Sequence, residues 1–293
     1  MLAKVLSLKL PASPAWYLVP LAAAVLVVSI LFLNGTIAVN SEDVSSFLTG
    51  DFALYLLVGL AAQLVDGALG MAYGVTCNSF LLTLGVTPAV SSASVHFAEM
   101  FTTGASAISH FRFKNINKKL FKTLLIPGVL GSIVGAYLLS DVIDGNFIKP
   151  FIAFYMLVLG LIIIRKALQK NWVKNKTKNI SVLATAGGFL DSIGGGGWGP
   201  IVTSTLLGQG RDPRYTIGSV NAAEFAVAFA SGVTFMLFNG INNWQVVLGL
   251  IVGGVIAAPL GAMLVGKINR KPLMLIVGIL VIGLSIRTIL QSI

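Results

Sequence analysis

The sequence predicts an all-α polytopic membrane protein made of two inverted repeats. Each repeat is a re-entrant (broken) helical hairpin plus three transmembrane helices, and one extra N-terminal transmembrane helix precedes them. Three observations carry this reading. Of 293 residues, 56% are hydrophobic and only 10% charged, against about 25% charged in a soluble domain; mean hydropathy is +0.91. Apolar runs of about 18 residues or more, enough to cross the hydrocarbon core as helices, recur along the whole length. The second half also repeats the register of the first. This composition excludes an ordinary globular enzyme and a disordered chain. The net charge of +10 is no nucleic-acid signal, because the bases lie in short loops between apolar runs. A single cysteine, Cys77, leaves no disulfide framework and no thiolate metal site.

In chain order, Lys4 and Lys9 precede an apolar run from Trp16 to Leu33. A signal peptide is the alternative, but the run is long and no clean A-x-A site follows it, which favours a retained span. Residues 1–51 are therefore read as this helix and an extracytoplasmic loop containing Glu42, Asp43 and Asp51. Residues 52–169 form repeat 1, with apolar stretches near 52–85, 88–111, 123–140 and 148–168. A basic cytoplasmic linker, 170–178, leads to repeat 2 at 179–293, with stretches near 180–208, 215–238, 244–265 and 272–291. Runs this long are helices; membrane β-strands alternate over about ten residues.

The duplication is read from Asp66-Gly-Ala-Leu-Gly-Met-Ala-Tyr-Gly74, which recurs 125 residues later as Asp191-Ser-Ile-Gly-Gly-Gly-Gly-Trp-Gly199. The same offset pairs Ser79 with Ser204, Pro88 with Pro213, Ser94 with Ser219 and Glu99 with Glu224. It then slips to 122, pairing Lys149-Pro150 with Lys271-Pro272. Internal duplication is characteristic of secondary transporters.

Charge decides the threading. If 52–85 and 180–208 each cross once, the 20 basic residues split 8 inside and 12 outside. If each enters and returns, only Lys149 and Arg287 of those 20 fall outside, as the positive-inside rule requires. Two limbs of about 14 residues reach roughly 21 Å, so each hairpin dips to the midplane. Three true spans per repeat, an odd number, invert the second repeat. The N-terminus is then cytoplasmic, the C-terminus outside, and the plasma membrane the expected location.

Of ten acids, four lie inside apolar stretches: Asp66, Glu99, Asp191 and Glu224. A carboxylate at the bilayer centre costs about 2.5–3.5 kcal/mol, so all four should face the bundle interior. Asp66 and Asp191 are either helix caps beside glycine runs or parts of the transport machinery. Glu99 and Glu224 sit mid-span and are expected to serve proton coupling or gating. His96, one turn before Glu99, corresponds to Asn221; these are a relay pair or polar packing. The tip glycines Gly70, Gly74, Gly195, Gly196, Gly197 and Gly199 would let backbone approach a ligand closely. Second limbs starting near Gly74 and Pro200 would offer free N–H groups at the positive end of a helix dipole, an anion site. Thr76, Asn78, Ser79, Thr203 and Ser204 would add donors. Close helix packing by small residues is the alternative. Tyr73 and Trp198 occupy equivalent positions, as an aromatic gate or as core filling. His110 is read as an interfacial histidine. No metal or cofactor is expected.

Across about residues 54–291, the paired tips, the short helix after each, and the stretches Pro88…Ser94-Val-His-Phe-Ala-Glu99 and Pro213…Ile217-Gly-Ser-Val-Asn221 resemble the sulfite exporter TauE/SafE (TSUP) family. The resemblance implies a membrane permease for sulfur-containing anions such as sulfite, sulfonates or sulfoacetate, driven by the proton gradient. Many relatives carry Gly-Thr-Ser where this chain has Gly218-Ser219-Val220 or Ala93-Ser94-Val95. The expected partners are a small anion, protons and the lipid bilayer, with no nucleic acid. Two alternatives stand beside this: a Na⁺ or metal cation transporter using the membrane carboxylates, and an intramembrane aspartyl protease using Asp66 and Asp191. The protease reading lacks the Gly-x-Gly-Asp element.

Overall fold

The computed structural model describes residues 50–169, 179–240, 244–265 and 267–292. The expected N-terminal span, most of the acidic loop after it, and the linker 170–178 lie outside these residues. Among the described residues there is no strand. The helices are α1 (Gly50–Leu69), α2 (Tyr73–Thr83), α3 (Pro88–Arg112) and α4 (Lys118–Tyr137), the last extended by a π turn at Leu138–Val142. Then come α5 (Gly145–Leu168), α6 (Ile180–Gly194), a π turn at Trp198–Thr203 continued by α7 (Ser204–Gly208), α8 (Pro213–Asn239), α9 (Trp244–Leu264) and α10 (Arg270–Ser292). Six helical segments are long and apolar enough to cross a membrane: Phe52–Leu69, Lys118–Val142, Gly145–Leu168, Pro213–Asn239, Trp244–Leu264 and Arg270–Ser292.

Local chemistry sets the helix starts. Asn117 Oδ1 accepts from the N–H groups of Lys119 (3.0 Å) and Leu120 (3.1 Å). Asp144 does the same for Asn146 and Phe147, both at 2.9 Å, and Asp212 for Arg214 at 2.8 Å. Each satisfies N–H groups that have no partner inside the helix. Pro88 and Pro213 open their helices, where a missing N–H does no harm.

The bundle exposes apolar side chains and buries four carboxylates among a largely apolar core. Phe111, Phe147, Phe151, Leu237 and Leu290 are exposed, while Asp66, His96, Glu99, Asp191 and Glu224 are buried. α3 is absent from the six apolar spans because it is the polar centre: Ser91, Ser92, Ser94, His96, Glu99, Thr102 and Ser106 all point inward.

The packing has an exchange pattern. α1 lies along α9 and α6 along α4; α3 packs on α8 and α5 on α10; α8 also packs on α4, as α3 does on α9. Replacing each helix by its counterpart 125 or 122 residues away turns this set of contacts into itself. Glycines make the approach close: a Cβ at Gly67 would lie 2.9 Å from Gly261 Cα, and one at Gly131 would strike the Thr185 carbonyl. Successive contacts, Gly249 with Tyr55 and Gly261 with Gly67, show α1 and α9 running parallel. Gly131 with Thr185 and Gly135 with Phe189 show the same for α4 and α6.

Two expectations change. The limbs are unequal: α1 has 20 residues and α2 has 11, so the first limb extends about 30 Å rather than the 21 Å expected. The break itself falls within the expected tip, after Leu69, where Gly70 takes φ +70°. In the second hairpin the return limb begins at Trp198 and Pro200 sits inside the π turn, because Asp191 caps the N–H groups of Gly197 and Trp198 two residues earlier than a proline start would place the cap.

Candidate substrate and coupling site at the hairpin tips

The two glycine tips meet backbone to backbone. A Cβ at Gly74 would lie 3.0 Å from the Gly195 carbonyl oxygen, from Gly196 Cα and from Glu99 Oε1. A Cβ at Gly196 would overlap the backbone of Gly74 and Val75, and one at Gly199 would sit 2.5 Å from Met71 Cα and 2.9 Å from the Gly70 carbonyl. Gly70 (φ +70°) and Gly195 (φ +64°) occupy the left-handed region, where a side chain is strained.

Around this junction each half donates to the other. His96 on α3 places Nε2 3.2 Å from Asp191 Oδ2 in the second hairpin. Its counterpart Asn221 on α8 directs Nδ2 to Asp66 Oδ2 in the first, at 3.5 Å, and to Ser106 Oγ at 3.1 Å. Asp191 Oδ1 accepts from the backbone N–H of Gly197 (2.6 Å) and Trp198 (2.9 Å). Asp191 therefore caps the second return limb, one of its two expected readings. The tip donors at Gly197 and Trp198 are held by a carboxylate in this arrangement instead of being free.

The remaining candidates divide. Thr76, Ser79 and Thr203 are buried with hydroxyls that have no partner, as ligand donors should be. Thr203 also lies against Gly70. Asn78 is a strut: its Nδ2 donates to the Gly194 carbonyl and its Oδ1 accepts from Ser91, tying the first return limb to the second tip. Ser204 donates to the Pro200 carbonyl within its own turn. Tyr73 and Trp198 sit as core filling, one of their two expected readings. Trp198 is fully buried with Leu124, Ala184 and Val220, and its indole N–H donates to the Val220 carbonyl at 3.3 Å. Tyr73 packs on Gly254 of α9 and donates to the Leu250 carbonyl at 3.2 Å. A bulky ring fills the gap a glycine-lined helix leaves, and its one polar atom finds a carbonyl. His110 is also buried rather than interfacial, with Nδ1 3.1 Å from Asn115 Nδ2.

Glu99 Oε2 and Glu224 Oε2 are buried without partners, unlike the aspartates. His96, Glu99 and Asp191 present ligand atoms within 4.8 Å of one another. Sequence reasoning missed Tyr155, whose partnerless buried hydroxyl faces Gly197 in the second tip; no repeat partner marked it. It also missed Gln63, buried with both amide atoms unpaired. A polar residue one helical turn before Asp66 was a usable signal.

The chain is similar to known proteins over most of its length. The family model described as sulfite exporter TauE/SafE matches residues 55–288. The chain is 42% identical to a probable membrane transporter protein, YtnM of Bacillus subtilis, over 82% of this chain and 83% of that one. It is 23% identical to YunE of the same organism, also a probable membrane transporter protein, over 83% of this chain and 98% of the relative. A 78-residue stretch is 35% identical to the sulfite exporter TauE/SafE family protein 3 of Arabidopsis thaliana, covering 27% of this chain and 16% of that one. No solved structure matches the chain.

Proposed function

The chain belongs to the sulfite exporter TauE/SafE family, an integral membrane transporter, and from that premise we propose that it moves small sulfur-containing anions such as sulfite or organosulfonates together with protons, through the junction of the two hairpin tips. One observation supports this above the others. A carboxylate of the protein itself, Asp191, occupies the backbone N–H groups at the start of the second return limb. Those donors, at the positive end of a helix dipole, are an anion site, and Asp191 holds the place of a substrate anion. Protonating a carboxylate removes the competitor and hands its N–H donors to the substrate. Proton and anion then favour each other's binding, and linkage makes the effect reciprocal. Glu99, against the Gly74 backbone, and Glu224 are the gating carboxyls: ionised, they repel an anion at the tips; neutral, they admit it. Thr76, Ser79, Thr203 and Tyr155 supply unclaimed hydroxyls.

In the same reading the halves are inverted repeats carrying re-entrant hairpins. Parallel packing of α1 with α9 and of α4 with α6 supports it. So does the gathering of basic loops at one end, where Arg214 donates to the Phe113 carbonyl and to Asn115 Oδ1, both at 2.7 Å. That end is cytoplasmic, in the plasma membrane. In a Cys77→Ala background, cysteine at exposed Lys118 should label with an impermeant thiol reagent from the inside only, and cysteine at Asn146 from the outside only. Labelling of both from one face removes the inverted arrangement.

The functional test is flux in proteoliposomes with sulfite, ethanesulfonate and cations, with and without a pH gradient. Glu99→Gln and Glu224→Gln are each expected to keep anion exchange while losing at least about tenfold of the acceleration by a pH gradient. Unchanged coupling in both leaves the glutamates as structural hydrogen-bonders. A second reading, cation transport, draws on the His96, Glu99 and Asp191 cluster; it replaces the first if Na⁺ or a divalent metal moves and the anions do not.

A further inference from the structure

The basic loops do more than orient the chain. Lys166 at the end of α5, Arg211 before α8, and Arg270 and Lys271 at the start of α10 line one cavity of about 690 Å³, and among the described residues no carboxylate lines it. The positive-inside rule places bases at this end, but it does not require them to converge on a concavity. Nor does it account for Lys166, Arg211 and Arg270 being half-buried, since partly dehydrating cations without acids between them is unfavourable unless an anion joins them. The nearest acid, Asp212, influences Arg270 but spends its carboxylate capping α8. Lys166 Nζ reaches the Ser204 carbonyl of the second hairpin at 3.2 Å.

Met71 also lines the cavity; it is a tip residue that is itself buried and whose backbone packs on Gly199. The cavity thus adjoins the tip junction through Met71. An unbranched thioether with three rotatable bonds is a soft plug.

We propose that this cavity is an anion-binding vestibule, a second site that concentrates a free sulfonate- or sulfite-class oxyanion on the basic face and delivers it to the tips past Met71. This rests on the anion-transport reading for its substrate class, whereas its electrostatics are tested without transport. A lipid phosphate has the same chemistry, so the test separates the two sources.

Ile268, on the cavity wall, is changed to cysteine in the full chain carrying Cys77→Ala, in nanodiscs of zwitterionic lipid. Thiol labelling is timed with an anionic sulfonatoethyl and a cationic trimethylammonioethyl methanethiosulfonate of similar size. The anionic reagent is expected to react at least about tenfold faster relative to its rate with free thiol. Ethanesulfonate should slow it, and Arg211→Gln with Arg270→Gln should bring the ratio near one. Lys271→Gln, at an exposed position, gives a smaller fall in the same direction and guards against misfolding of the double variant. Equal rates for the two reagents in the parent overturn the vestibule. So does protection that appears only when phosphatidylglycerol is included and never with ethanesulfonate, because the occupant is then a lipid headgroup. If labelling follows the expected pattern but proteoliposomes move no anion, the vestibule stands and the transport reading falls.

Discussion

Gly196→Val is expected to abolish anion flux, by at least about a hundredfold, in a protein that still inserts and elutes as a single species in detergent. A Cβ at this position falls on backbone atoms of Gly74 and Val75, which have no flexible end to swing aside. The tips must then part, and displacing a site by an ångström is enough for a loss of this size. Overpacking itself costs about 1–3 kcal/mol, a tolerable loss for a bundle whose other helix contacts are untouched. Gly283→Val is the matched control, since a Cβ there meets nothing within 4 Å. Full flux in Gly196→Val would mean that the tips are packing surfaces and that substrate passes elsewhere.

Asp191→Ala is expected to be the most destabilising single change in the site, by about 3–5 kcal/mol. It strips acceptors from Gly197 N–H, Trp198 N–H and His96 Nε2 together, and buried donors without acceptors are costly. Asp191→Asn keeps an oxygen for the two N–H groups and should recover most of the stability. Asp66→Ala should be milder, because its side-chain partner is Asn221 at 3.5 Å and a neutral amide tolerates the loss better than an imidazole facing a carboxylate. Thermal unfolding of the purified variants checks the order. Equal midpoints for Asp191→Ala and Asp66→Ala would show that the two half-sites carry the same load.

The 125-residue offset was legible because it preserved rare residues, and it singled out Asp66, His96, Asp191 and Asn221, which the bundle joins in crossed pairs. It did not say that each pair works across the halves. His96 reads as a neighbour of Glu99 one turn away, yet it meets Asp191, 95 positions on, and that contact depends on how α3 and α6 pack. Limb length was misjudged for a similar reason: composition marks where an apolar stretch ends, whereas the break is set by Gly70 in the left-handed region. Tyr73 and Trp198 were ambiguous because an aromatic beside glycines looks alike whether it lines a passage or fills a slot; Gly128 and Gly254 supply the slots. The cationic cavity was invisible for another reason. Lys166, Arg211 and Arg270 are far apart in sequence, and each alone is only a loop-end base.

Among the side chains that join the two halves at the tips, the exchange pattern is broken at histidine 96 against asparagine 221. If swapping the halves mapped the molecule onto itself, the arrangement open to one face and the arrangement open to the other would be degenerate, and an idle transporter would divide its time equally between them. An imidazole–carboxylate contact on one side and an amide–carboxylate contact on the other lift that degeneracy. About 1.4 kcal/mol between the two arrangements makes one tenfold more populated. In the transport reading position 96 is one source of a resting bias: His96→Asn is expected to narrow the gap between the two arrangements, read as a more equal accessibility of the tips from the two faces.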